Sequence, residues 1–184
     1  KELPIPPYTL GCWLGDGTSR SNTISIGDAD LISHIQKDSF AVTGAYSNPK
    51  NKKEEIIYRI RDNDSGISFH RLLRENNLLN NKHIPILYLR GSYNQRLELL
   101  KGLMDTDGTV TCGTYDTVTK HKGLQQDILY LARSLGYAAY GVDRYKICQG
   151  MTEKRLYYGV SISGDFYDVP VRLPRKKIGK RQQA

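Results

Sequence analysis

The apolar positions of the chain change period twice in the same way. Over 7–16 and again over 94–107 they recur at helical spacing. Each stretch ends in Asp-Gly-Thr, and the glycine suits a left-handed turn that stops a helix. The period then drops to two: Ile24 and Ile26 alternate with Thr23 and Ser25, and Val110 and Cys112 with Thr109 and Thr111. Alternation also predicts strands at 56–61, 140–148 and 155–163. In the last, Leu156, Tyr158, Val160 and Ile162 take one face, leaving Arg155, Tyr157, Gly159 and Ser161 on the other. Helical spacing returns at 29–37, 68–76 and 123–135. Each half thus reads helix, strands, helix, strands, with a trailing helix clearest in the first.

The two halves are related in detail. Leu10-Gly11-Cys12-Trp13-Leu14-Gly15-Asp16-Gly17-Thr18 superposes on Lys101-Gly102-Leu103-Met104-Asp105-Thr106-Asp107-Gly108-Thr109 with a constant offset of 91 residues. The expectation is one α+β domain over 1–184, made of halves at about 1–88 and 89–184. Gly11 and Gly15 line one face of the first helix, as Gly102 and Thr106 do on the second. Small residues at that spacing let two helix backbones approach closely. If the stripes pack on each other, Asp16 and Asp107 meet at one end. Two adjoining carboxylates repel unless a proton or cation neutralises them, and a hard divalent ion with oxygen ligands suits such a site. The plain alternative is that Asp-Gly is a common turn; its duplication on matched helices counts against that.

Composition narrows the partners. At 39% hydrophobic and 25% charged residues, the chain is ordinary for a globular protein. No apolar run approaches the ~20 residues that span a bilayer, and the start lacks the apolar core of a signal peptide, so an intracellular protein without membrane contact is expected. The net charge of +8 makes a polyanion the first partner to consider. Cys12, Cys112 and Cys148 suggest neither disulfides nor a zinc site and read as small buried hydrophobes. His34, His70, His83 and His121 show no metal-ligand spacing.

The two segments resemble the paired motifs of LAGLIDADG homing endonucleases, especially those carried inside inteins. Leu100 to Gly108 is close to the intein pattern, and the first segment resembles its Trp-containing variant. Lys82-His83-Ile84-Pro85 is similar to the family's lysine block, and 123–136 to the helix after the second motif. The resemblance implies two αββαββα-like halves about a pseudo-twofold axis, a central pair of packed helices, and antiparallel sheets offered to the major groove of double-stranded DNA. It implies a monomer cutting a long site with Mg2+ or another divalent ion such as Mn2+. Carried over by position, Asp16 and Asp107 hold the metal, Lys82 assists the chemistry, Lys177 is its counterpart, and Thr119 aligns with an active-site hydroxyl. The first residue of an intein is a nucleophile and its last are His-Asn; Lys1 and Ala184 match neither, so an endonuclease domain without its splicing domain is expected, part of a larger intein precursor.

The DNA face is expected to include Arg59 and Arg61 on one strand, Arg144 and Lys146 on another, and Arg155. Arg20, Lys50, Lys52 and Lys53 flank the first-half strands, and Arg175 and Lys176 lie in a basic tail. Each is also readable as a solvated charge. Two other readings stay open: a domain that binds DNA without cutting it, and an intron RNA maturase on the same scaffold.

Overall fold

The computed structural model describes residues 2–47, 56–147, 153–165 and 170–178. Helix α1 (Pro7–Asp16) starts on a proline, whose fixed φ and missing N–H suit the first helical position. There follow β1 (Thr23–Ile26), α2 (Ala29–Lys37), β2 (Phe40–Ser47), β3 (Ile56–Asn63) and α3 (Phe69–Glu75), then a short α4 (Ile86–Leu89). Helix α5 (Tyr93–Thr106) begins in a capping box between Ser92 and Gln95. The second half continues with β4 (Thr109–Thr111), β5 (Thr114–Thr119), α6 (Lys122–Ser134), β6 (Ala138–Ile147), β7 (Lys154–Ser163) and a 3-10 turn, Pro174–Lys176.

The sheets are antiparallel, in orders β1-β3-β2 and β4-β5-β7-β6. Sequence positions β1, β3 and β2 thus match β5, β7 and β6. The counterpart of β4 shrinks in the first half to a single bridge between Gly17 and Ile24. With that reduction the first half follows the expected αββαββα order; among the described residues the second keeps αββαββ and ends in the 3-10 turn where a final helix was expected. Helices α2 and α6 bury Leu31 and Ile35, and Leu124, Ile128 and Leu131. On β3, Ile60 is buried between exposed Arg59 and Arg61, as a period of two requires. Among the described residues no helix is long and apolar enough to cross a membrane.

Two strands escape the alternation read from sequence. In β2 the pairing shifts between Phe40 and Val42 and again between Gly44 and Tyr46, which breaks the period. In β5 the inward positions are Tyr115 and Thr117, and a threonine does not register as apolar. Val110 and Cys112 are not a buried face. Strand β4 is exposed throughout, and Cys112, exposed at φ 48°, forms with Gly113 (φ 75°) the two-residue turn of a hairpin. Cys12 is buried, and Cys148 lies outside the described residues.

Helices α1 and α5 touch backbone to backbone. A methyl group added at Gly11 would fall on the carbonyl of Leu99 and 3.0 Å from the Gly102 α-carbon. One added at Gly102 would fall on the carbonyl of Tyr8 and 2.8 Å from the Cys12 nitrogen. Gly15 faces the Thr106 side chain and, at 3.3 Å from a built β-carbon, the Asp107 nitrogen. The glycines after the acids serve a different purpose from the one read in sequence. Gly17 is extended (φ −72°, ψ 146°) and Gly108 is not in the left-handed region. A side chain at Gly17 would strike the Trp13 carbonyl and ring, and one at Gly108 the Met104 backbone. These glycines let the exiting chain fold tightly back on the last helical turn.

Because the obstacles to a β-carbon at Gly102 are backbone atoms, no side-chain rotation relieves them. Gly102→Ala should cost about 3 kcal/mol, the upper range of core overpacking, or roughly 6–12 °C in Tm for a chain of this size. A thermal melt of the variant matching the parent would show that the helices do not meet there.

Candidate active site

The helix pair brings both motif acids to one end of the molecule. Asp16 is the last residue of α1 and Asp107 the residue capping α5; each is half-buried. Thr117 donates its hydroxyl to Asp107 Oδ2 at 3.0 Å. Burial raises the Asp107 pKa, opposed by that hydrogen bond, by the Lys82 charge, by the Val118 N–H and by Lys176. The negative charges of Asp16 and Asp107 both act on Lys82 and on Lys176. Two acids and two ammonium groups therefore share one electrostatic neighbourhood.

Each lysine sits on a helix C-terminus, where unpaired carbonyls carry the negative end of the dipole. Lys82, 8% exposed, donates from Nζ to the carbonyls of Leu14 (2.9 Å) and Gly15 (3.2 Å) and lies over the Trp13 ring. Its counterpart on α5 is Lys176, which donates to the carbonyls of Met104, Asp105, Thr106 and Gly108 at 2.7–3.2 Å. Lys177, matched to that role in sequence, is exposed just past the 3-10 turn. The turn is what selects between the neighbours, by directing Lys176 at the helix end. Asp105, buried beneath this lysine, was given no role from sequence; its position in the repeat is taken by Leu14 in the first half.

A cavity of about 270 Å³ opens beside Asp107, lined among others by Gly15, Lys82, Thr117, Thr119 and His121. Thr119 is on its wall, but its hydroxyl accepts from the His121 N–H, and Thr117 is the threonine that meets the carboxylate. The other basic residues expected on the DNA face are placed differently from one another. Arg59 and Arg61 are exposed on β3, and Arg144 and Arg155 on β6 and β7. Register pairs Arg144 with Tyr157, and Lys146 with Arg155, so these positions share a sheet face; the Lys146 side chain lies outside the described residues. Arg144 is 3.8 Å from Asp116. Arg20 is exposed in the turn after α1. Arg175 is tied to Asp28, the cap of α2, at 2.7 Å, which makes it a brace between the halves. Lys50, Lys52 and Lys53 lie outside the described residues.

No family model matches the chain. Over 139 residues, 74% of its length, it is 40% identical to the replicative DNA helicase DnaB of Mycobacterium intracellulare, of which it spans about one fifth (20%). Its fold is similar to that of a point variant of I-DmoI in complex with its target DNA and manganese, at a TM-score of 0.55 with 16% identity over 87% of each chain. It is likewise similar to I-DmoI with DNA and calcium (TM-score 0.52, 15% identity, 87% and 83% covered). Mesophilic variants of the homing endonuclease I-DmoI give a TM-score of 0.53 at 15% identity, with 87% and 88% covered. These likenesses show the fold.

Burial lowers the Lys82 pKa to about 8, with Asp16 and Asp107 acting in the opposite sense. In the unfolded chain it returns to its ordinary value of 10.5. Between those values the unfolded state holds a proton that the folded state has released, so stability rises with pH. Thermal melts of the parent and Lys82→Met across pH 8 to 10.5 should show the parent gaining on the variant. A constant difference would mean that Lys82 is not buried as described.

Proposed function

We propose that the chain is a LAGLIDADG-type homing endonuclease domain that cuts both strands of a long DNA site. The observation carrying the proposal is the placement of Asp16 and Asp107 at the same end of two backbone-packed helices, with Lys82 and Lys176 in the field of both. Two halves in one chain, about 1–88 and 89–184, supply both acids without a partner subunit. The shared fold with I-DmoI, solved on its target DNA, supports the same substrate class. A nuclease-type fold matching one fifth of a replicative helicase is what a segment inserted into a host protein looks like, and this supports an intein setting.

The donor set suits a hard divalent ion. Among the described residues no group of three His, Cys, Asp or Glu forms a closed metal cage. Two carboxylates from opposing helices leave positions for waters and a phosphate oxygen, as Mg2+ or Mn2+ prefers. Asp16 and Asp107 would hold it, and such an ion supplies charge neutralisation and a more acidic water. Thr117 fixes the orientation of Asp107. Lys82 and Lys176 provide positive charge where negative charge builds on the phosphate and leaving group. The exposed faces bearing Arg59, Arg61, Arg144 and Arg155 offer cations to phosphates and forked donors to guanine edges.

Cleavage is tested on a supercoiled plasmid carrying the helicase gene uninterrupted, with and without magnesium. Asp16→Asn and Asp107→Asn should each abolish double-strand cutting and leave DNA affinity within a few fold. An Asn variant that cuts at the parental rate would reduce that acid to a turn residue, and binding without cutting by the parent would favour a DNA-binding domain that has lost cleavage.

Base reading is tested separately by binding to single-base-pair variants of the site at two salt concentrations. Arg59→Ala should relax preference at a few base pairs of one half-site, at a cost of roughly 1–3 kcal/mol for a lost bidentate contact. Uniform weakening with the salt slope reduced in magnitude by about one would assign Arg59 to a phosphate instead.

A further inference from the structure

Asp105 is a carboxylate that the chemistry above does not use. It is 1% exposed, and a charge so buried persists only where donors satisfy it. Three donors do, all from outside its own helix. Tyr8 of α1 donates its hydroxyl to Oδ2 at 2.8 Å. The backbone N–H groups of Arg172 and Leu173 donate to Oδ2 and Oδ1 at 2.8 and 3.1 Å. Two oxygens taking consecutive N–H groups define one register of the strap 170–178 on α5. Arg172 reinforces it by stacking over the Tyr8 ring at 3.7 Å and pairing with Glu98. Farther along, Tyr115 donates its hydroxyl to the Lys176 carbonyl at 2.9 Å. Between these anchors Lys176 is delivered to its four carbonyls. Lys82 is held by a separate route: the Ile84 N–H donates to Asp127 Oδ2 on α6 at 2.8 Å.

We infer that Asp105 is a positioning residue for Lys176, setting the strap that holds this lysine at the end of α5, independently of Lys82. The consequence for function rests on the endonuclease reading above. Because the two lysines sit on different helix ends in opposite halves, each serves mainly one of the two scissile phosphates. Loosening the strap therefore slows one strand and spares the other.

Two measurements test this. Reductive methylation of the free protein, read by mass spectrometry, reports how protected each lysine is and needs no activity. Single-turnover cleavage of an end-labelled duplex at saturating enzyme reports each strand. In Asp105→Asn, one bonded donor meets an amide N–H in place of an acceptor. Lys176 should then label about fivefold faster, as local opening exposes it, with Lys82 unchanged. One strand should be cut about tenfold or more slowly, the scale of losing a positioned donor, and the other at nearly the parental rate, so that nicked product accumulates. Unchanged labelling of Lys176, equal acceleration of both lysines, or equal slowing of both strands would each overturn the inference. If Asp105→Asn does not fold, Arg172→Ala, which keeps the buried carboxylate and its backbone donors, takes the same two tests with the same outcomes expected in weaker form. If the parent cuts no DNA, the endonuclease reading fails, and the labelling still decides whether Asp105 holds Lys176.

Discussion

Everything at the candidate site depends on how closely two helices approach. The Gly11 and Gly102 α-carbons face each other with no room for a methyl group, and Gly15 meets Thr106 one turn later. That contact removes the layer of side chains that separates ordinary packed helices by 8–10 Å. The helix axes are drawn together, and so are the residues at their ends. Tyr8, Leu10, Trp13 and Leu14 of α1 and Leu99, Leu100, Leu103 and Met104 of α5 belong to one continuous core. Packing thus supplies the free energy that holds two acids where electrostatics alone would separate them.

The electrostatic problem created there is severe. Two helix C-termini converge, each bearing the negative end of a dipole, and each adds a carboxylate. Lys82 and Lys176 answer it locally by donating to the carbonyls of the final turns. They do so at a cost to themselves: burial lowers both their pKa values. Burial raises that of Asp107. Asp107 and both lysines are thus displaced toward neutrality, the kind of perturbation that clusters at functional sites. Such a site is also less stable than a comparable apolar cluster would be.

The halves are alike in their helices and sheet order and differ in how they are finished. The lysine of the first half arrives on the linker between halves, anchored to α6 through Asp127. That of the second arrives on the strap after β7, anchored through Asp105. Arg172, Arg175 and Glu98 then bind strap, α2 and α5 together. The halves share a scaffold, and the unequal connections give each a separate means of placing its cation.

Much of this was legible in the residue order alone. Helical spacing located α1 and α2 to the residue and α5 and α6 to within one position at either end, because an amphipathic helix writes its period directly into its apolar positions. The duplicated Gly-containing stripe and its terminal acid identified the helix contact and both carboxylates for the same reason: they recur at constant offset. What the sequence could not decide were features set by partners distant along the chain. Strand β2 is bulged and β5 faces inward with threonine, so pairing rather than alternation defines them. The glycines after the acids are required by close approach to the preceding turn, not by a left-handed conformation. Between adjacent Lys176 and Lys177, the fold of the strap and its 3-10 turn chooses which reaches the helix end. Local pattern determined the elements and the acids; the cations that serve them were chosen by tertiary contact, because a side chain's reach depends on where its backbone is held.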